Sequence, residues 1–326
     1  GKDGRNLKTD SDEGARVYYS LKDKWGSKTV DVSTLTAEEK AEYEMYMLAK
    51  QKVVGDVDPQ EVAYMKQLYP KLVRADSITK IEMDKTEYTG TDMKDFSPKS
   101  ADARMMKSFL LNICKANDNY DITNSDIMDQ LGGELRKAEA ASTPPPNYRK
   151  DIVGDDENNF NDRDYGNNDV MANYAFHGTH CSGIIAAVRN NNKGIDGVAD
   201  NVRIMMLRVV PEGDEHDKDI ALAIRYAVDN GARVISMSFG KSFSPQKKWV
   251  DDAFRYANSK GVLLVHASGN DNKNVDSVFR FPNAEFEDGS GVASNVINVG
   301  ASGNSKNGGL TASFSNYGKA NVDVFA

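Results

Sequence analysis

Two patterns of apolar and polar residues divide this chain of 326 residues. In the first 150 residues, apolar and aromatic side chains recur at helical spacing within a polar background, which predicts amphipathic helices. The predicted helices cover residues 35–54, 58–73, 100–116 and 123–141. We expect the last of them to break at the glycine pair 132–133, because glycine is a poor helix former.

Start signals support two of these helices. Thr36 and Glu39 have the spacing of a capping box, in which each side chain accepts a hydrogen bond from the other residue's amide. Asp58 is a typical N-cap residue, and Pro59 suits the first position of a helix because that position needs no N–H. The proline-rich stretch 142–149 cannot be helical, so it is predicted to be a stiff linker.

From residue 151 onwards, short apolar runs rich in β-branched residues alternate with helical patterns. The predicted strands lie within residues 202–210, 232–240, 261–270 and 295–302, and the predicted helices within 216–231 and 244–261. This alternation predicts an α/β fold with right-handed crossovers and a parallel sheet. Because the strands are continuously apolar, we expect both faces of the sheet to be covered. Ligands bind such sheets at the carboxyl ends of the strands, where polar residues follow these runs.

Composition narrows the classes of function. The formal net charge of −8 argues against a basic patch that binds nucleic acid. No apolar run approaches the roughly 18 residues of a membrane-spanning helix. Cys114 and Cys181 are far apart and are predicted to be free thiols, so no disulfide framework is expected. The chain starts at Gly1 rather than at methionine, which we interpret as a cut or the remnant of a tag and not as a native N-terminus.

The residues that point to chemistry begin with His177, in the run HGTHCSG at 177–183. An imidazole in the first turn of a helix lies beside unpaired amides and the positive end of the helix dipole, which favours its neutral form and suits a general base. The alternative for a single histidine is a packed core residue. His180 follows one helical turn later, as in some metal sites. We predict no metal there, because the glutamate of a zinc-binding helix is missing.

This motif and those that follow it resemble motifs of the subtilisin-like serine proteases, or subtilases. HGTHCSG resembles their histidine motif, VISMSFG at 234–240 their substrate-binding strand, and HASGN at 266–270 their oxyanion-asparagine motif. Residues 295–302 and 312–326 resemble the two strands that lead to the nucleophile. The order of segments is similar to that of bacterial subtilases with a long insert before the histidine motif. The resemblance implies an α/β fold of the subtilisin-like three-layer type, here incomplete, with a mainly α-helical insert at the N-terminal side.

The resemblance also implies roles for individual residues. His177 would take a proton from a serine hydroxyl, and Asn270 would donate a hydrogen bond to the oxyanion of the tetrahedral intermediate. The alternative for Asn270 is an ordinary turn residue. The pocket for the residue before the scissile bond would have two walls, one made by Ser238, Phe239 and Gly240 and the other by Ala267, Ser268 and Gly269. Gly240 would leave the strand edge open for an extended peptide, whereas Phe239 could equally belong to the core.

Two catalytic groups of the family have no counterpart in the sequence. Subtilases carry their triad in the order aspartate, histidine, serine. Nothing before residue 176 reads as an apolar strand that ends in such an aspartate, and Asp31 is the nearest candidate. The GTSMA run that should carry the nucleophile is absent, and Ser305 and Ser313 lack its surroundings. We therefore expect an internal piece of a longer subtilase that is inactive by itself.

No cofactor is required for this chemistry. The stretch 151–169 has seven carboxylates and one arginine. Oxygen-rich loops of this kind bind calcium, so the stretch is either a structural calcium site or a solvated acidic loop. His216 lies in a second acidic loop and is predicted to be solvated. His266, at a strand end, is predicted to be buried and hydrogen-bonded.

These observations predict a helical insert at residues 1–150, with its linker at 142–149, and a partial catalytic domain at residues 151–326. The insert would limit substrate access, dock a partner or merely decorate the domain. The predicted function is that of a serine endopeptidase acting on polypeptides, secreted or held in the bacterial cell envelope or periplasm, as the resemblance implies. The alternative is a degenerate subtilase that serves as a binding or scaffold module.

Overall fold

A computed structural model of the chain describes residues 1–7, 9–27, 29–55, 58–172, 175–211, 213, 215–303 and 309–326. Contacts between these residues define two compact units. Unit 1 comprises Gly1–Glu13 and Pro146–Ala326, and unit 2 comprises Gly14–Pro145. Unit 1 thus includes residues 1–13, which the sequence pattern assigned to the helical insert.

Unit 2 is built from helices. They are α1 (Glu13–Trp25, whose first residue belongs to unit 1), α2 (Ala37–Lys50), α3 (Pro59–Met83), α4 (Gly90–Asp95), α5 (Ala101–Ala116) and α6 (Asn124–Glu139). The predicted start signals are confirmed. Thr36 and Glu39 form the capping box of α2, and Asp58 accepts a hydrogen bond from the Gln60 amide at the start of α3.

The core of unit 2 lies between α3, α5 and α6. It includes Leu72, Met106, Leu110 and Ile127. The predicted break in α6 is wrong, because the helix continues through both glycines. A Cβ at position 132 would lie 2.8 Å from the Tyr69 hydroxyl on α3. Gly132 therefore allows a close approach of the two helices instead of ending one of them.

A buried polar network crosses this core. Asp76 accepts hydrogen bonds from the Tyr88 hydroxyl and from the Asn124 side-chain amide, both at 2.7 Å. The Asn124 side chain in turn accepts the Tyr88 amide at 2.8 Å. Each polar group thus has a partner, as burial requires. Burial and the Asp76 carboxylate together raise the pKa of the Tyr88 hydroxyl far above its ordinary value.

Unit 1 contains the predicted parallel sheet. Its strands are β1 (Val234–Met237), β2 (Leu263–Ala267), β3 (Val296–Gly300) and β4 (Val324–Phe325), in the spatial order β1-β2-β3-β4. The crossover helices are α8 (Asp217–Asp229) and α9 (Lys247–Ser259), as predicted, and α7 (Phe176–Ala186) precedes them. Met237 and Leu264 pack on the same apolar cluster as Phe254 of α9. The α/β class is confirmed.

The covering of this sheet differs from the expectation. Residues 202–210 are irregular rather than a strand, and Val234 on β1 is 58% exposed. Helix α7 has no buried residue. An extended apolar segment becomes a strand only beside another strand that satisfies its backbone groups. None of the described residues supplies such a neighbour to 202–210.

Buried ion pairs hold the amino end of α8. Arg149 donates to Asp155 and Asp219, and Lys218 donates to Asp155. Burial disfavours the charge of Arg149, but Asp219 and Asp155 outweigh this effect and raise its pKa. Lys241 lies 2.7 Å from carboxylate oxygens of both Glu13 and Asp217.

His216, at the N-cap position of α8, is buried as well. Its ring nitrogens lie 2.6 Å from Glu157 and 2.7 Å from Asp10. The prediction that His216 is solvated is therefore wrong. Its local sequence is acidic and typical of a surface loop, but carboxylates from distant positions in the chain contact the ring and exclude water.

None of the described helices is both long and apolar enough to cross a bilayer.

Candidate active site

The two predicted walls of the substrate pocket meet at one edge of the sheet. Ser238, Phe239 and Gly240 follow β1, whereas Ala267 ends β2 and Ser268 and Gly269 follow it. Strands β1 and β2 are parallel neighbours, with Met237 aligned to His266. Both groups of residues therefore lie at the carboxyl edge, where parallel sheets bind ligands.

His266 connects the two strands. Its Nε2 donates to the Phe239 carbonyl at 2.8 Å, and its Nδ1 lies 3.2 Å from the Asn298 side-chain oxygen. The prediction of a buried, hydrogen-bonded histidine is confirmed. Burial lowers the pKa of the ring below its ordinary value of 6.5. Burial thus favours the neutral ring, and a proton on Nε2 makes the bond to the Phe239 carbonyl, so the ring serves as a structural cross-link.

Asn316, a buried asparagine in the run 312–326 to which the resemblance assigned no role, positions the loop after β2. Its Nδ2 donates to the Ser268 carbonyl at 2.9 Å, and its Oδ1 accepts the amides of Asp271 and Lys273 at 3.0 and 2.9 Å. Gly269, with φ of +103°, leaves space for it, since a Cβ there would lie 2.5 Å from Asn316 Nδ2. No local signal marks Asn316, because its partners lie more than 40 residues away in the chain.

Asn270, the predicted oxyanion donor, lies within the loop that Asn316 holds. The side chain of Asn270 is exposed and follows directly after the wall residue Gly269. An exposed amide on a loop with fixed backbone is geometrically free to meet a substrate oxygen. The predicted role stays a prediction.

The edge of the first wall carries two existing contacts. The Gly240 amide donates to Glu215 Oε1 at 3.1 Å. Lys241, next in the chain, exchanges backbone hydrogen bonds with Phe281 at 2.8 and 2.9 Å. An extended peptide that pairs with Gly240, as expected from the sequence, would thus replace the Glu215 carboxylate at this amide.

His177 lies in the first turn of α7, as expected from its motif. It is exposed, and both ring nitrogens lie about 4 Å from Cys181 Sγ. Within the described part of the chain, no hydrogen bond joins His177 to Asn270. Cys114 and Cys181 are both free thiols, as predicted.

Asp31 and Ser313, two of the candidates for the missing aspartate and serine, lie in ordinary local structure. Asp31 is the N-cap of a short 3-10 turn in unit 2 and accepts hydrogen bonds from the Ser33 amide and hydroxyl. These bonds lower the pKa of Asp31, as expected for a capping carboxylate. Ser313 is exposed in a turn. Ser305 lies outside the described residues.

The acidic stretch 151–169 engages protein groups. The Asp155 carboxylate is bound by Arg149 and Lys218, and Asp162 accepts the amide of Asp156 at 3.0 Å. No set of three histidine, cysteine or acidic residues suited to a metal occurs among the described residues. Calcium binding stays a prediction for the carboxylates that remain at the surface.

Comparison with known proteins identifies the family. The sequence model of the Subtilase family, peptidase S8, matches residues 62–326. This chain is a subtilase. Membership assigns the parallel sheet of unit 1 to the subtilisin-like α/β fold, and the motifs at 177–183, 234–240 and 266–270 all lie within the matched range.

Individual relatives show how much of a subtilase the chain spans. It is 40% identical over 168 residues to the thermophilic serine proteinase of Bacillus sp. strain AK1, with 51% of this chain and 37% of the relative aligned. It is 34% identical over 161 residues to the cell wall-associated protease of Bacillus subtilis, with 49% of this chain and 16% of the relative aligned. A solved structure of proteases from Pseudoalteromonas arctica is 35% identical, with a TM-score of 0.40, and the match covers 49% of this chain and 47% of that one. The chain thus spans less than half the length of these relatives.

Proposed function

We propose that this chain is part of a serine endopeptidase that hydrolyses peptide bonds of polypeptide substrates. The observation that carries the proposal is the convergence of the two wall segments, 238–240 and 267–269, at one carboxyl edge of the sheet in a chain that belongs to the subtilases. The aspartate and the nucleophilic serine would come from sequence outside residues 1–326.

Each predicted site residue has a defined task in this proposal. An extended substrate lies along the wall at 238–240 as an added strand, with its side chain before the scissile bond between the two walls. His177 accepts the proton of the attacking serine hydroxyl and returns it to the leaving amine. The Asn270 side-chain amide donates to the oxygen that becomes negatively charged as the tetrahedral intermediate forms.

The test uses the full-length protein that carries this chain. We expect it to react with a serine-directed fluorophosphonate and to cleave unfolded polypeptides. Asn270→Ala should lower kcat by about 10²–10³ with little change in KM, a magnitude taken from the corresponding substitution in subtilisin of this same family. Lys273→Ala, an exposed change in the same loop, should leave kcat unchanged. Cleavage that persists in His177→Ala would contradict the role of His177 as the base, whereas a protein that neither reacts nor cleaves would favour the scaffold alternative.

We also propose that the protein acts outside the cytoplasm. The support is that the B. subtilis relative is named as cell wall-associated. Fractionation of the source cells with antibodies against unit 2 tests this proposal. Recovery of the protein in the cytoplasmic fraction would overturn it.

A further inference from the structure

A cavity of about 160 Å³ opens beside the second predicted wall, which contributes Ser268 to its lining. His266 and Ser268 line its inner side, and residues 275–280 line its outer side. Because His266 is held neutral by burial, Arg280 is the residue with a permanent positive charge among the described residues that line this cavity.

The Arg280 guanidinium lies between the two walls. Its Nη2 pairs with Asp271 Oδ2 at 2.9 Å, just after the second wall, and its Nη1 lies 3.4 Å from the Ser242 hydroxyl, just after the first. A Cβ on the wall residue Gly269 would lie 3.3 Å from Arg280 Nη2. The guanidinium thus borders the gap in which the proposed function seats the side chain before the scissile bond.

We infer that Arg280 is a specificity-determining residue, which favours substrates with an acidic side chain before the scissile bond. The inference rests on the proposed function. A guanidinium has five N–H donors in a planar fork that matches a carboxylate. A neutral side chain at the same place would cover this charge and leave it with Asp271 as its carboxylate partner, and a basic one would add a like charge, so both are less favourable than an acidic side chain.

The existing partner of Arg280 does not prevent this recognition. The Asp271 side chain is 38% exposed and that of Arg280 is 22% exposed. Ion pairs with this much access to water are weak, because solvent screens them and competes for both groups. A substrate carboxylate can therefore share or replace Asp271 at little cost.

Two carboxylates line the cavity, Asp276 and Glu285, and neither opposes an acidic substrate strongly. Asp276 accepts the amides of Lys319, Ala320 and Asn321 at 2.6, 3.1 and 2.9 Å, so its charge is already compensated by donors. Glu285 is exposed to solvent, which screens it over a short distance. The direct contact with Arg280 therefore dominates.

The experiment compares peptides that differ only in the residue before the scissile bond. The full-length protein is given matched peptides with Glu, Gln, Leu or Lys at this position, and mass spectrometry establishes the bond that is cut. We expect kcat/KM for Glu to exceed that for Gln by at least about tenfold, as for a charge-assisted hydrogen bond. Arg280→Gln should bring the Glu:Gln ratio close to one, and Arg280→Lys should retain part of it. Asp271→Asn should increase the ratio, because it frees the guanidinium.

Controls separate this inference from the proposed function. Arg255→Gln removes another ion-paired arginine of unit 1, which lies 2.8 Å from Asp288 and does not line the cavity, so it should leave the ratio unchanged. Thermal unfolding of each variant identifies a misfolded one. If the protein reacts with fluorophosphonate but cleaves Glu and Gln peptides equally, prefers Lys, or keeps its Glu:Gln ratio in a folded Arg280→Gln variant, the inference is wrong and the proposed function stands. A protein that neither reacts nor cleaves any peptide overturns both.

Discussion

Units 1 and 2 fill their interiors with different kinds of side chain. Among the described residues, the buried polar side chains of unit 2 are Asp76, Thr79 and Asn124, within an otherwise apolar core. Unit 1 buries many ionisable groups, including Arg149, Asp155, Asp217, Lys218 and Lys241. A helical core gains its stability from apolar burial, whereas buried charges are tolerated only when every partner is in place.

The difference has a structural cause. Unit 2 closes its core with helices that are near neighbours in sequence, and few polar groups enter it. Unit 1 brings together residues from its N-terminal stretch, from 149–157 and from the start of α8, so loops rich in charge become its interior. The two units should therefore respond differently to mutation and to pH.

The largest effect is expected when a buried carboxylate of unit 1 is removed. Asp155→Ala leaves Arg149 and Lys218 buried without this partner, which should lower the free energy of unfolding of unit 1 by about 3–5 kcal/mol. Denaturant unfolding followed by hydrogen exchange in each unit measures this. Asp252→Ala, which removes a surface pair with Lys248, should change the free energy of unfolding of unit 1 by less than about 1 kcal/mol. Equal effects of the two substitutions would show that the Asp155 cluster is not buried in solution.

A smaller effect is expected from pH, again in unit 1. Burial lowers the pKa of His266 below 6.5, so in acid the unfolded chain binds a proton that the folded state resists. Stability from this group is therefore complete above pH 6.5 and decreases as pH falls from 6.5 towards the folded-state pKa, by at most about 1.4 kcal/mol per pH unit.

NMR of the histidine rings separates this group from the others. The His266 ring should stay neutral as pH falls through 6.5, with its proton on Nε2. His266→Gln should remove the part of the pH dependence of unit 1 stability that comes from this ring. The stability of unit 2 should stay the same as pH falls below 6.5. A ring that protonates at its ordinary value would contradict the buried, cross-linking role assigned to His266.

The smallest effect is expected at a helix start in unit 2. Thr36→Ala removes the side chain that accepts the Glu39 amide at 3.2 Å, which should lower the free energy of unfolding of unit 2 by about 1 kcal/mol. Thr143→Ala changes an exposed threonine outside the helices and serves as the matched control. If Thr36→Ala has no more effect than the control, local capping does not hold α2 in solution.

The elements of the fold were predictable where the signals are local. The capping box at Thr36, the N-cap at Asp58, and the two crossover helices of unit 1 all occur as expected. These signals depend on residues that are close in the chain, so they can be recognised without knowledge of the fold. The break expected at the glycine pair 132–133 was wrong because the reason for Gly132 is a distant contact. This glycine makes room for Tyr69, which lies on another helix.

The residues of the candidate site could be predicted from the sequence, but the hydrogen bonds and ion pairs that connect them could not. The sequence by itself determined the family motifs, the parallel sheet and the place of the six predicted wall residues at the ends of two of its strands. Only the tertiary structure decided that Asn316 fixes the loop of Asn270, that acids surround His216, and that Arg280 lies between the walls. The physical reason is that motifs and periodicity record local geometry, whereas hydrogen bonds and ion pairs between distant residues depend on which backbone segments the fold brings together.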